Sequence, residues 1–456
     1  MDLLARLPSD ATLQQYYQIA WHPIPNLAMD AIVPPLLRFM PLAAAGKLFV
    51  LTIFLLLAGG AALLHRALFQ RWSAWPCLVF LLLYDRLLLW GIVNYLFGLG
   101  LALVALAAMI ALGGRGVVVR LAAGAVFALV LYFAHLMAFG VYAVLLIGVE
   151  AGAVLRRMPM REAAARLAVA ILPLLLPLLV MAYVGGGAGE AGLSFSKPWR
   201  KLDLLFSVFD LYHRPFDVAC FALAVLGLGY AYWRRWLVLA PALALALALL
   251  ALLYLAMPSQ MMGASGVDRR LPLALALVLC AGSAWVAPRP RLERIYLGAA
   301  LAMLVLRLVT VAASWHDSDR DYRAILAGLD TVPAGSRIAV AFPPDAVNVT
   351  ATPLVHLTVL AAARRDAFVP TLFAQASQQP IALTPPYRAL AARTSPDRLW
   401  RGFVTGGAKL DAAEHATLDN YDYIAFAGIR PFTLEAADSL ALVFVAPRFA
   451  LYRIAR

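Results

Sequence analysis

Over most of this chain apolar residues are not spaced at helix-face or strand intervals but gather in long runs with few polar residues. Such runs occupy about 48–66, 75–90, 92–112, 117–134, 136–155, 163–185, 215–232, 236–257, 271–287 and 295–315. A helix needs roughly 20 apolar residues to cross the hydrocarbon of a bilayer. The pattern therefore predicts a polytopic α-helical membrane protein with about ten transmembrane helices, of which the 75–90 and 92–112 pair is short enough to be partly re-entrant.

Two segments break the pattern. In residues 1–46, Ser9 or Asp10 is placed to cap a helix carrying Leu13, Tyr16, Tyr17 and Ala20. An elbow follows, Trp21-His22-Pro23-Ile24-Pro25-Asn26, and then a second helix from Leu27, capped by Asn26. Both helices are too short to span and are expected to lie on the membrane surface. From about His316 the composition becomes that of a water-soluble domain. Helices are predicted over Asp319–Leu329 and Pro353–Arg364, a turn over Val332–Ser336, and strands over Arg337–Phe342, Ala367–Phe373 and Tyr421–Ala427. Leu440–Ala446 and Phe449–Ile454, split by Pro447-Arg448, predict a terminal hairpin. The expected organisation is an external loop (1–46), a transmembrane domain (47–315) and a C-terminal α/β domain (316–456).

Composition agrees: 63% of residues are hydrophobic and 14% charged, with a mean hydropathy of +0.81, whereas soluble domains carry about 25% charged residues. A net charge of +13 would suggest nucleic acid in a soluble protein, but its placement argues otherwise. Thirteen arginines fall in five alternate short loops: Arg66 and Arg71; Arg115 and Arg120; Arg156, Arg157, Arg161 and Arg166; Arg234 and Arg235; Arg289, Arg291 and Arg294. Positive charge beside membrane spans is retained in the cytoplasm, so the excess reports topology and no nucleic-acid partner is required. Residues 1–46, the loops 186–214 and 258–270 and everything after Trp315 are then extracytoplasmic. An outward amino terminus calls for one further span before Met1. Cys77, Cys220 and Cys280 lie inside apolar runs and form neither a disulfide framework nor a metal-type spacing.

Charges on the outward side are the informative ones, because topology does not require them. Asp30 falls in the first turn or so of the Asn26 helix, where the helix dipole favours a carboxylate whatever its role; with His22 it is the candidate for chemistry. Asp85 and Arg86 sit in or at the end of an apolar run, where ionisable groups are costly. Lys197, Arg200 and Lys201 surround Trp199, a pattern suited to a phosphate at headgroup level or to snorkelling onto anionic lipid. Arg269 and Arg270 precede the Leu271 run and oppose the positive-inside bias; guanidinium groups grip phosphate through parallel N–H donors. Asn94, His135 and His356 are polar groups within apolar surroundings, where a hydrogen-bonded structural role is the commoner one. No Gly-rich nucleotide fingerprint, His-Glu-x-x-His or nucleophile elbow is present.

The strings Ile24-Pro25-Asn26-Leu27-Ala28-Met29-Asp30, Trp90-Gly91-Ile92-Val93-Asn94-Tyr95-Leu96-Phe97-Gly98 and His135-Leu136-Met137-Ala138-Phe139, within this layout, resemble uncharacterised bacterial members of the GT-C superfamily of membrane glycosyltransferases. The resemblance implies an inner-membrane enzyme that takes a sugar from a polyprenyl-phosphate carrier and passes it to an envelope glycan, lipid or protein. It implies Asp30 as the base, or an acid upstream of Met1, with His22 nearby. Substrate would be bound by Asn26, Asp85, Arg86, Asn94, His135, Lys197, Arg200, Lys201, Arg269 and Arg270. No cofactor is required by these residues, and a divalent cation is left open. The acid of such enzymes usually follows the first span closely; that span is expected before Met1, and Asp2, Asp10 and Asp30 are the acids of the loop that would follow it. The competing expectation is a non-enzymatic membrane protein: a lipid-linked-sugar binder, a transporter or an inactive relative.

Overall fold

In the computed structural model, the structure described is that of residues 1–155, 159–183, 192–261, 264–287, 289–344, 353–374, 378–404, 409–434 and 439–455. Arg156 and Arg157, and part of each of the outward loops 186–214 and 258–270, lie outside the described residues. The chain forms two units, one of residues 22–33 and 43–309, the other of 1–21, 34–42 and 310–456.

The first unit is the membrane unit. Among the described residues, seven helices are long and apolar enough to cross a bilayer: Leu42–Phe69, Val93–Gly114, Val117–Ala134, Leu136–Val154, Met160–Tyr183, Arg214–Trp233 and Pro290–Asp330. The last runs on beyond Val309 into the second unit. Three of the ten expected spans take other forms. Residues 75–90 break into the 3-10 helix Trp75–Leu82 and the short helix Arg86–Leu89, because Asp85 is extended and caps the second piece. The 92–112 run, by contrast, is one continuous helix, Val93–Ala111. The 236–257 and 271–287 runs yield helices of only Pro241–Ala256 and Leu271–Ala281. Their remaining residues, Leu237–Leu239 and Ser283–Trp285, pair as antiparallel strands.

Interior helix contacts rely on small residues, as expected where lipid removes the hydrophobic incentive to associate. A Cβ on Gly148 would stand 2.3 Å from the Cα of Ala246, and one on Gly100 would stand 2.7 Å from the Cβ of Leu56. At one end of the bundle the arginine-bearing segments meet a tryptophan cluster. Trp75, Trp236 and Trp285 pack together with Tyr296, and Arg71 donates to the Trp285 carbonyl at 2.8 Å. Arg66 and Arg234 lie over Trp72 and Trp236. Aromatic and basic side chains of this kind collect where a bundle leaves the hydrocarbon.

The second unit is an α/β fold whose sheet has the order Ile338–Ala341, Tyr423–Ala427, Phe449–Ile454, Leu440–Ala446; its first pair is parallel and the others antiparallel. The expected hairpin is present. Ala367–Phe373 contributes only a single bridge, Arg337 to Phe368. Pro353–Arg364 is a 3-10 helix followed by a short α-helix, and the composition change at His316 falls inside a continuous helix.

The amino-terminal segment departs most from expectation. Instead of lying on a membrane, it buries Leu3, Leu4, Leu7, Leu13, Tyr16 and Tyr17 in the core of this α/β unit. Asp10 is the cap, accepting from Thr12 and Leu13 at 3.1 Å each. Tyr17–Ile19 pairs with Ile381–Leu383, and the Tyr17 hydroxyl donates to the Ala367 carbonyl while accepting from the Val369 N–H. The apolar faces that suggested a membrane surface thus meet protein.

Candidate functional site

The other end of the membrane unit, away from the tryptophan cluster, gathers the polar groups singled out in the sequence. Asn26 begins the arrangement. Its φ of 72° is left-handed, a conformation that asparagine tolerates better than most residues, and this turns its side chain away from its own helix. Contrary to expectation, it does not cap that helix. Its Oδ1 accepts instead from the Leu136 N–H at 3.2 Å, and the cap comes from Asn94, whose Oδ1 accepts from the Met29 N–H at 2.8 Å. The Asn94 amide returns a hydrogen bond to the Asn26 carbonyl at 2.5 Å. Leu27 N–H donates to the Phe133 carbonyl at 2.7 Å. Four bonds therefore fasten the elbow to the ends of three helices.

The elbow delivers Asp30. Its side chain is 2% exposed, and neither carboxylate oxygen has a hydrogen-bond partner among the described residues. Burial raises its pKa to about 6. A carboxylate in the first helical turn needs no such burial to satisfy the dipole, and structural carboxylates in interiors are normally paired. His22 closes the elbow through its carbonyl, which accepts from the Ile24 N–H at 2.7 Å.

From Asn94 the floor of the site continues through packed neighbours. The Tyr95 ring meets His135 edge-on at 5.4 Å, and its hydroxyl donates to the Arg270 carbonyl at 2.7 Å. His135 Nδ1 accepts from the Met137 N–H at 3.1 Å, so any ring proton sits on Nε2 and the residue is a helix cap. Beside Arg270, Arg269 lies over the Trp90 ring at 5.0 Å, and Arg86 lies over the same ring at 5.6 Å. Arg86 pairs with Asp210 at 2.7 Å rather than with its neighbour Asp85. Burial first, and then the like charges of Arg86 and Arg200, hold the Arg269 guanidinium below its ordinary pKa. Guanidinium groups kept together against their repulsion form a setting for an anion.

The lysines separate. Lys197 lies exposed over Trp199 at 5.1 Å. Lys201 is buried, donates to the Tyr254 and Met257 carbonyls at 3.0 and 2.5 Å, and lies 3.2 Å from Asp268. These contacts hold the helix Pro198–Phe206 on the bundle. Asp85, 1% exposed, is likewise a cap, accepting from the Leu88 N–H at 2.8 Å. His356 belongs to the other unit.

Sequence reasoning missed Trp90 as a platform, Asp210 as the Arg86 partner, and the buried pair Asp217–Arg307 at 3.1 Å. The last had a readable signal, an acid and an arginine each inside an apolar run. No family model, curated protein or solved structure matches this chain. Among the described residues no group of three or more His, Cys, Asp or Glu side chains is arranged to hold a metal ion.

Replacing Asn94 by leucine removes both its hydrogen bonds and leaves the Met29 N–H and Asn26 carbonyl unpaired. The expected loss is about 1–3 kcal/mol for each buried group stranded, read as a lower unfolding midpoint and faster hydrogen exchange at residues 26–30.

Proposed function

We propose that this chain is an inverting glycosyltransferase of the bacterial inner membrane, acting at the extracytoplasmic face on a polyprenyl-phosphate-linked sugar. The observation that carries the reading is Asp30, a buried carboxylate without a hydrogen-bond partner among the described residues, raised to a pKa of about 6. A base of that strength is largely ionised at neutral pH yet keeps affinity for a proton. It would take the proton of an acceptor hydroxyl as that oxygen bonds to the anomeric carbon. The bond from that carbon to the phosphate oxygen breaks, and its electron pair leaves with the polyprenyl phosphate.

Arg269 and Arg86, set on Trp90, suit the departing phosphate, with Arg270 and the exposed Arg200 and Lys197 adding to the positive field. The acceptor is an envelope glycan, lipid or protein hydroxyl. Arg269→Ala is expected to lower kcat/KM for the carrier by about one to two orders of magnitude, the size of a lost charge-assisted hydrogen bond. The assay uses membranes containing the chain and a polyprenyl-phosphate hexose labelled in the sugar. If Arg269→Ala and Asp30→Asn each left transfer unchanged, the assignment would fail.

The 2% exposure of Asp30 also favours a second reading, a lipid-linked-sugar binder without turnover. Under it the labelled carrier binds but no sugar moves to any acceptor.

A further inference from the structure

A different charged cluster sits at the arginine-bearing end of the membrane unit. Arg120 and Arg166, counted by the sequence as loop charges, lie within the helices Val117–Ala134 and Met160–Ile171. Both reach Glu150 in the last turns of the helix Leu136–Val154. Arg120 donates to one carboxylate oxygen at 2.7 Å, and Arg166 donates through Nε to the other. Glu150 and Arg120 are 2% and 7% exposed.

Two guanidinium groups on one carboxylate leave a positive charge uncompensated. Glu162, one turn before Arg166, is exposed and makes no ion pair with it among the described residues. The Arg120 Nε has no hydrogen-bond partner among them either. Excess charge in a low-dielectric site is costly unless something answers it.

Beside the triad is a cavity of about 210 Å³, with Glu150 and Arg166 on its polar side and Met109, Ile110, Val149 and Ala153 on its apolar side. Sites for whole small molecules begin at roughly 300 Å³, so this one suits the polar end of a larger molecule whose remainder stays outside. The first turn of Arg120's helix is itself apolar and outward: Val117, Val118 and Val119 are 57%, 79% and 50% exposed.

We propose that this cavity binds the phosphodiester headgroup of an anionic phospholipid. Arg166 takes the phosphate oxygens, Glu150 fixes Arg166 and Arg120 in place, and the acyl chains remain in the bilayer. The bound lipid ties the ends of three helices together. The proposal does not depend on the transfer reading, since it concerns the opposite end of the unit.

The test is thermal unfolding of the purified full chain in neutral detergent micelles, titrated with phosphatidylglycerol, phosphatidylcholine or inorganic phosphate. The midpoint is expected to rise with phosphatidylglycerol alone, with the apparent affinity about tenfold weaker in Arg166→Gln. It should be unchanged in Arg234→Gln, an exposed arginine at the same end. Equal responses of wild type and Arg166→Gln would overturn the proposal. So would an equal loss in Arg234→Gln, which would mark general attraction to negative charge. A rise with phosphatidylcholine, or with inorganic phosphate alone, also overturns it, the latter by making the ligand a free anion. If Arg166→Gln does not fold, native mass spectrometry of the wild type from mixed micelles decides: preferential retention of one phosphatidylglycerol supports the site, and equal retention of both lipids overturns it.

Discussion

Asp30→Asn is expected to lower the sugar-transfer rate by about two to four orders of magnitude, the usual contribution of a positioned general base, while binding of the lipid carrier persists. The asparagine is nearly isosteric, so the elbow held by Asn26 and Asn94 stays in place. In the native chain the rate should rise with pH through about 6 and level off above it, because the proposed base works in its ionised form and burial places its pKa there. The variant should lack that limb.

Stability should move the opposite way. The folded-state pKa of Asp30 lies above its ordinary value of 3.8, so the native state holds more protons than the unfolded chain between about pH 4 and 6, and stability falls as pH rises through that window. The displacement corresponds to about 3 kcal/mol. Asp30→Asn should therefore unfold at a higher temperature than the native chain at pH 7, and the difference should shrink toward pH 4. A variant that is more stable and less active identifies a carboxylate kept for chemistry. One that is less stable and equally active identifies a structural residue.

Arg307→Met is expected to destabilise the membrane unit by about 3–5 kcal/mol, the cost of leaving one member of a buried ion pair alone. Arg307 is 2% exposed; one terminal nitrogen donates to Asp217 at 3.1 Å and to the Phe209 carbonyl at 3.0 Å. The other donates to the Tyr84 carbonyl at 3.2 Å. Asp217 also accepts from the Leu211 and His213 N–H groups. One guanidinium thus fastens residues 84, 209 and 217 to the last long helix. These segments frame Arg86 and Asp210, so transfer activity should fall with stability. The double variant Asp217→Asn, Arg307→Met should recover a good part of the loss, since the stranded charge is gone. Unfolding midpoints of the two single variants and the double variant in micelles measure the coupling; additive losses would show that the pair does not act as one.

What the sequence determined by itself followed from uninterrupted patterns. Long apolar runs have no stable place except in hydrocarbon or a wholly buried core, so the membrane class and most of the helices were legible, as was the hairpin flanking Pro447-Arg448. The alternation of arginine-bearing loops along the chain was equally readable, because charge beside a span is constrained locally. Apolar length alone could not distinguish a span from a broken element. Residues 75–90 and 271–287 are apolar enough to span, but Asp85 caps a new helix in the first, and Ser283–Trp285 turns to pair with Leu237–Leu239 in the second.

Tertiary structure decided everything that depends on a distant partner. Leu13, Tyr16 and Tyr17 read as a membrane-facing stripe until the sheet unit supplied another apolar surface. Asn26 read as the cap of its own helix, a role that Asn94 performs from 65 residues away. Lys201 read as a phosphate or headgroup contact beside Trp199, and the three acceptors from other segments around its ammonium could not be read locally. Asp30 was visible as an acid in a first turn. Only the packing around it sets its pKa and withholds a partner, because desolvation depends on neighbours that the local sequence does not contain.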